Sequence, residues 1–385
     1  MTKHARDEDG VDRRRFLAAA GGVGVVGLAG CTGDGDDSEG GDGGDGNDGG
    51  AESSIGQIGS GREGREAPGG TSMAEMPDLE GELTVYSGRG EFLVGELVGY
   101  IEDQYDDFDL TVRYAGSTDH VNAIVNEGEG SPADVFYSVN AGSLGALADE
   151  GRTQAMPSDV AELVREEFRT EQWIGTSGRA RTVPYDSSEY DESDVPDDIM
   201  AYPEEFDGDL GWAPSYGSCQ AFVTAMRLIE GEDATREWLE AVVESGITPY
   251  NNEFATCQGI ADGEIDAAFT NHYYIQRVLD GNPEASIATA FTGGDAGAVF
   301  NVAGAAIVDT ASDATLAGNF VRHLLSAEAQ DYFARSTFEY PLIPDVEPVG
   351  DLPTIDELDV PDIDLTELSD LETTIDLMRD AGVEV

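Results

Sequence analysis

Between Glu82 and Tyr137 the chain alternates short apolar runs with segments of helical period, and that alternation leaves few folds open. Leu83-Thr84-Val85-Tyr86 reads as a strand. Ser87-Gly88-Arg89-Gly90 turns it into a helix whose apolar positions Leu93, Leu97, Val98 and Ile101 recur at helical spacing. A second strand, Leu110 to Tyr114, precedes a helix with Val121, Ile124 and Val125 on one face, and a third strand, Asp134 to Tyr137, follows Ser131-Pro132. Strand, helix, strand, helix, strand predicts a parallel sheet with crossover helices. The same grammar returns around Gly211-Trp212-Ala213-Pro214, the helical stretch Cys219 to Ile229, and Ile265 to Phe269, so two α/β lobes are expected. Ligands of open α/β sheets sit beyond the carboxyl ends of the strands, which makes the strand-to-helix turns the candidate site.

The 385 residues are 40% hydrophobic, enough for two packed cores, and carry 79 Asp plus Glu against 20 Lys plus Arg, a formal charge of −59. Such a surface repels nucleic acid, whose phosphates require clustered cations. Spread along the whole chain, the charge suits solubility in very high salt and points to a halophile. The N-terminus reads Arg13-Arg14-Arg15-Phe16-Leu17, a small apolar run from Ala18 to Ala29, then Gly30-Cys31. It resembles a twin-arginine export signal (1–31) ending in a lipobox, with Cys31 lipidated as the mature N-terminus. The run is shorter than the roughly 20 residues that a spanning helix needs. From 32 to about 80, Gly, Asp, Glu and Ser dominate, and a disordered tether is expected. Cys219 and Cys257 remain, with pairing open.

Three constellations sit at strand ends. Asn271-His272-Tyr273-Tyr274 follows the short strand ending at Phe269; with Asn271 as helix cap, both phenols fall in a first turn and can face one cleft. Phenolate is a hard donor suited to a highly charged cation such as Fe³⁺. Ala213-Pro214-Ser215-Tyr216-Gly217-Ser218 enters a helix, with Ser218 as expected cap; the free N–H groups of that start suit an anion, and Tyr216 stands beside them. An ordinary β–α turn is the competing account. Ser177-Gly178-Arg179-Ala180-Arg181 supplies two cations, each able to neutralise an anion or to form a structural ion pair. No G-x-S-x-G, H-E-x-x-H, P-loop or EF-hand pattern occurs, and the histidines show no ligand spacing. Catalysis and a catalytic cofactor are not expected.

Read in order, Val85 to Arg89, Ser131 to Tyr137, Ser177 to Arg181, Gly263 to Ala268, Asn271 to Tyr274 and Glu339 to Leu342 resemble the ferric-iron-binding proteins of ABC importers, within the extracellular solute-binding proteins, over roughly Glu82 to Pro344. The resemblance implies a type II periplasmic-binding-protein fold, two α/β lobes around a cleft joined by crossover strands. Lobe 1 would take 82–182 plus 300–350, and lobe 2 would take 183–299 plus 351–385. It implies Tyr273 and Tyr274, with Tyr216, as iron ligands. Arg179, Arg181, Ser215, Gly217 and Ser218 would hold a synergistic anion such as carbonate, and Ser87, Arg89, Asn140, Asn252 and Asn271 would complete the cleft. Family members with a histidine and a glutamate ligand in the first lobe have them where this chain has Gly90 and Val139. A tyrosine-rich site is therefore expected. The implied partners are a membrane permease and its ATPase, served by a monomeric carrier lipid-anchored on the outer face. Rival expectations are a binder of thiamine or a phosphonate on the same fold, and a secreted hydrolase using Ser215 or Ser218.

Overall fold

The first three strands form where their apolar spacing predicts: the strand at Val135 is buried throughout and the one at Leu83 from Val85 onward, whereas the one at Leu110, at the sheet edge, exposes every second residue. The computed structural model describes residues 55–385, so the export signal, Cys31 and the tether up to residue 54 lie outside the described residues. The described chain runs β1 (Gly81–Ser87), α1 (Glu91–Asp103), β2 (Phe108–Tyr114), α2 (Ser117–Glu127), β3 (Val135–Ser138), α3 (Ala141–Asp149), α4 (Ser158–Ala161) and β4 (Ile174–Asp186). It continues with α5 (Tyr202–Glu205), β5 (Leu210–Trp212), α6 (Gly217–Ile229), α7 (Glu232–Glu244), β6 (Thr248–Pro249), α8 (Glu253–Ala261), β7 (Ala267–Ala268), β8 (Thr270–Asn271), α9 (His272–Gly281) and β9 (Ile287–Ala290). β10 (Phe300–Ile307), α10 (Ala314–His323), α11 (Ala327–Tyr332) and α12 (Leu371–Asp380) complete it.

β1 lies parallel between β2 and β3, with Val85 opposite Val112 on one side and Val135 on the other. β10 then joins β3 to β4, antiparallel to both. The long strand β4 serves two sheets. Its first half pairs β10 as far as Ala180 opposite Phe300. Its second half pairs β8 at Arg181 and Thr182 and β9 from Val183 to Asp186, with β7 opposite Tyr185. β5 adds parallel to β7 and β6. The stretch of β4 that carries Arg179 and Arg181 thus lies where its pairing passes from β10 to β8.

Residues 55–79, expected in the tether, instead pack on the folded body. Ile58, Met73, Met76 and Leu79 are buried. Glu328 receives the Ser72 hydroxyl and the Met73 N–H, and Asp331 gathers Arg62, Arg65 and Arg335. Composition concealed this, because the apolar residues that join the main core are few and aperiodic. The C-terminal segment touches both halves. A Cβ on Gly142 or Gly145 of α3 would run into Ser369 or Thr366, so only glycine lets that strand of chain lie there. Beyond it α12 packs on α6, with Thr374 bonded to Thr224 at 2.8 Å and Asp370 paired with Arg227 at 2.6 Å. No helix among the described residues is long and apolar enough to cross a membrane.

Candidate functional site

The strand-end turns converge on a cavity of about 380 Å³ lined by Tyr216, Tyr273 and Tyr274, with Arg179, Arg277 and Glu339 around them. Tyr273 and Tyr274 occupy the first turn of α9, rooted in an apolar cluster with Cys257, Ile260, Ile265 and Ile275. Tyr216 stands immediately before α6. The Tyr216 and Tyr274 hydroxyls are 2.8 Å apart, and the Tyr273 and Tyr274 rings lie 4.3 Å apart between centroids. Burial raises both phenols of the pair above the ordinary tyrosine range. The positive charge of Arg179 partly offsets this at Tyr273, whereas the nearby Glu253 adds to it at both phenols, and the closeness of the two rings means that ionising one further opposes ionising the other. Tyr273 and Tyr274 are therefore neutral phenols unless a sufficiently charged cation ionises them by displacing their protons. Among the described residues no group of three or more His, Cys, Asp or Glu could hold a metal, so the hard donors gathered here are phenol oxygens.

Several expected roles shift. Asn271 sits at the cap position of α9 without capping it: its Nδ2 donates to Tyr273 Oη at 3.4 Å, and its backbone N–H donates to Glu253 at 3.0 Å. Ser218 is not the cap of α6, which begins one residue earlier with Tyr216 at the cap position; the Ser218 hydroxyl is buried without a protein partner. Cys219 and Gln220 spend their N–H groups on the Tyr216 carbonyl, while Gly217 and Ser218 face the cavity. Ser215 is exposed and outside the cavity lining, because the turn points its side chain to solvent. Asn252 is likewise outside, capping α8 through the Ala255 N–H at 2.9 Å. Ser87 is buried, its hydroxyl donating to the Arg89 carbonyl at 2.8 Å to hold the turn, and it does not reach the cavity. Asn140 lines the cavity and also caps α3.

The arginines divide. Arg181 touches the cavity, yet its guanidinium is committed to Glu253 and the Phe269 carbonyl and lies 4.6 Å over the Phe222 ring, which makes it a structural ion pair and not a free anion binder. Arg89 is fully buried and bound to Glu339 and to Ser177 Oγ at 2.7 Å. Arg179 donates to the Val139 carbonyl and forms no ion pair among the described residues. Cys219 and Cys257 are both free, and burial pushes each thiol up to about 12.

Two charged lining residues were not singled out as site residues from the sequence. Arg277 lies over both rings of the tyrosine pair, 5.0 Å from one centroid and 5.5 Å from the other. Its signal was available, since it follows Tyr273 by four positions and Tyr274 by three on one helix face. Glu339 enters beside Arg89 because a π-helical turn, Phe333–Thr337, ends in Phe338 with φ 60, a left-handed backbone that a bulky residue rarely adopts. His272 Nε2 holds that backbone through the Phe338 carbonyl at 2.8 Å.

His272 is fully buried, and burial lowers its pKa from 6.5 to about 4. The unfolded chain binds this proton near pH 6.5 and the folded chain does not until near pH 4, so stability rises with pH across that window. We expect acidification from pH 6.5 to 4 to remove about 3 kcal/mol through this residue. Urea midpoints of His272→Gln should show a flatter pH dependence in the same window; an unchanged slope would rule this out.

A family model described as bacterial extracellular solute-binding protein matches residues 97–357. The major ferric iron-binding protein of Neisseria meningitidis serogroup A is 28% identical over 314 residues, covering 79% of this chain and 93% of that protein. Iron uptake protein A2 of Synechocystis is 31% identical over 257 residues, covering 63% and 74%. The solved structure of iron-bound HitA from Pseudomonas aeruginosa superposes with a TM-score of 0.69 at 26% identity, covering 78% of this chain and 99% of that one. A family match over most of the folded chain and a superposition covering 78% of it have one outcome: this protein belongs to the bacterial extracellular solute-binding proteins, with the two-lobed type II periplasmic-binding-protein fold.

Proposed function

We propose that the chain is the substrate-binding component of an ABC importer and that its cargo is ferric iron. The observation that carries this reading is the convergence of three phenol oxygens, from Tyr216, Tyr273 and Tyr274, in one cavity. Relatives named as ferric iron-binding and iron uptake proteins support it. Fe³⁺ displaces the three phenolic protons, and the resulting phenolates balance its charge without a carboxylate. Arg179 and the Gly217 and Ser218 N–H groups then hold a companion anion such as carbonate. Cargo bound by both lobes favours the closed state, which docks on a permease whose ATPase drives uptake. The carrier acts as a monomer on the outer face of the membrane, exported by the twin-arginine route, anchored by lipid at Cys31 and adapted to high salt; the N-terminal sequence and the charge of −59 support these points.

The test is visible absorbance of the lipid-free chain titrated with ferric citrate in high salt. A saturable phenolate-to-iron band reaching one iron per chain is expected. Absence of a band would reject iron and favour an organic solute on the same fold.

A further inference from the structure

The C-terminal segment links the two halves of the molecule at the edge of the tyrosine cavity. α3 follows β3 of the first sheet and α6 follows β5 of the second. The cap residue of α3, Asn140, and the first residues of α6, Gly217 and Ser218, line the cavity. A 3-10 turn, Glu367–Ser369, lies between these two helices and touches both. Its Leu368 is buried and forms part of the cavity wall.

The two contacts differ in kind. Toward α6 the segment is fastened: the buried hydroxyls of Thr374 and Thr224 bond at 2.8 Å, Asp370 pairs with Arg227 at 2.6 Å, and Leu377 and Met378 of α12 are buried in the core. Toward α3 it is only seated. Among the described residues no hydrogen bond or ion pair joins 364–370 to α3, and the Thr366 and Ser369 hydroxyls turn back on Asp364 and on the Thr366 carbonyl. The seat is made of two glycines, and a Cβ on Gly145 would lie 2.7 Å from Cγ2 of Thr366. Van der Waals contact of this kind is short-ranged and strands no polar group when it parts. Parting on the α6 side would instead break the threonine bond and the ion pair and uncover apolar side chains.

We propose that residues 364–370 are a latch between the lobes, carried on α6 by α12 and seated on Gly142 and Gly145 of α3, and that the latch lets go at α3 when the cleft opens. Cargo and seat then hold the cleft closed together. The seat raises the population of the closed state, and with it the apparent affinity for whatever the cavity binds. Hand-over of cargo must unseat the turn, which carries Leu368 with α6 away from Asn140.

The experiment uses two variants that push the latch in opposite directions. Gly145→Ala sets a methyl against Thr366, a strain present only while the turn is seated. Gly145→Cys/Thr366→Cys, oxidised to a disulfide, holds the turn on its seat. The first arm needs no iron: by small-angle scattering of the lipid-free chain in high salt, Gly145→Ala should have a larger radius of gyration than the oxidised pair. The second arm rests on the ferric reading and follows loss of the visible band from the loaded chain into excess EDTA. Release should quicken about tenfold in Gly145→Ala, within the range that one overpacked methyl costs, and slow by at least about tenfold in the oxidised pair until it is reduced. Thr366→Gly added to Gly145→Ala removes the atoms that the methyl meets and should restore most of the wild-type rate. A turn that stays on α3 in every state shares the strain between open and closed forms, so Gly145→Ala would lower the urea midpoint and leave release unchanged. Equal radii in the first arm, or unchanged release with a normal ferric band in the second, would overturn the latch. A missing ferric band with the difference in radii intact rejects the iron reading and keeps the latch. A normal band with equal radii does the reverse.

Discussion

Tyr274→Phe should weaken ferric binding by more than about a hundredfold, since even partners one shell removed from a metal are worth about ten- to a hundredfold. Tyr274 is the hub of the site: its hydroxyl meets that of Tyr216 at 2.8 Å, its ring contacts Tyr273, and Arg277 covers both rings. Phenylalanine keeps the ring and its packing, so the loss isolates the oxygen. The variant leaves the Tyr216 hydroxyl without its 2.8 Å partner, a net cost of about 1 kcal/mol in a half-buried position, and the urea midpoint should scarcely move. A second readout follows from proton release. Below the raised phenol pKa values, each proton displaced by the metal makes apparent affinity rise about tenfold per pH unit. Wild type should therefore show a steeper pH dependence than Tyr274→Phe, by about one proton. An intact visible band with unchanged affinity in the variant would remove Tyr274 from the ligand set.

The parts of this site that were legible from the sequence share one property: the relevant neighbours are close along the chain. The strands at Leu83, Leu110 and Val135 declare themselves by local apolar runs, and the Tyr273–Tyr274 pair by its place at the start of a helix. Arg277 was equally local but unsought, hidden in the first helix turn after a more conspicuous motif. The partners of Arg181 and Arg89 lie 72 and 250 positions away, and with carboxylates so abundant no pattern distinguishes Glu253 or Glu339 from the rest. The entry of Glu339 depends on the left-handed backbone at Phe338, which propensity disfavours and which the Phe333 carbonyl and the tertiary contact with His272 sustain. Ile58 and Leu79 escaped for the opposite reason, since isolated apolar residues in a polar stretch have no period to reveal them.

Arg181→Met should cost about 3–5 kcal/mol of stability, because it strands a buried carboxylate. Glu253 is fully buried, and among the described residues the hydrogen bond it keeps without the guanidinium is the one from the Asn271 N–H at 3.0 Å. The carboxylate must then take up a proton or pull water into the interior. Salt offers little relief to a pair removed from solvent, so the loss should persist in molar salt, whereas breaking an exposed pair such as Arg379 with Asp376 should be nearly silent. The double variant Arg181→Met/Glu253→Gln should recover much of the stability, since removing both charges removes the desolvation penalty with the attraction. Urea midpoints with unchanged slopes are the measurement, and a single-variant cost below about 1 kcal/mol would show that Glu253 is not dependent on Arg181. The pair also ties β4, where the sheets meet, to α8 and to the first residue before the Tyr273–Tyr274 turn. Stability and iron affinity should therefore separate in the double variant: charge balance is restored, but the Phe269 carbonyl and the start of α9 lose the guanidinium that held them, and ferric affinity should stay below wild type.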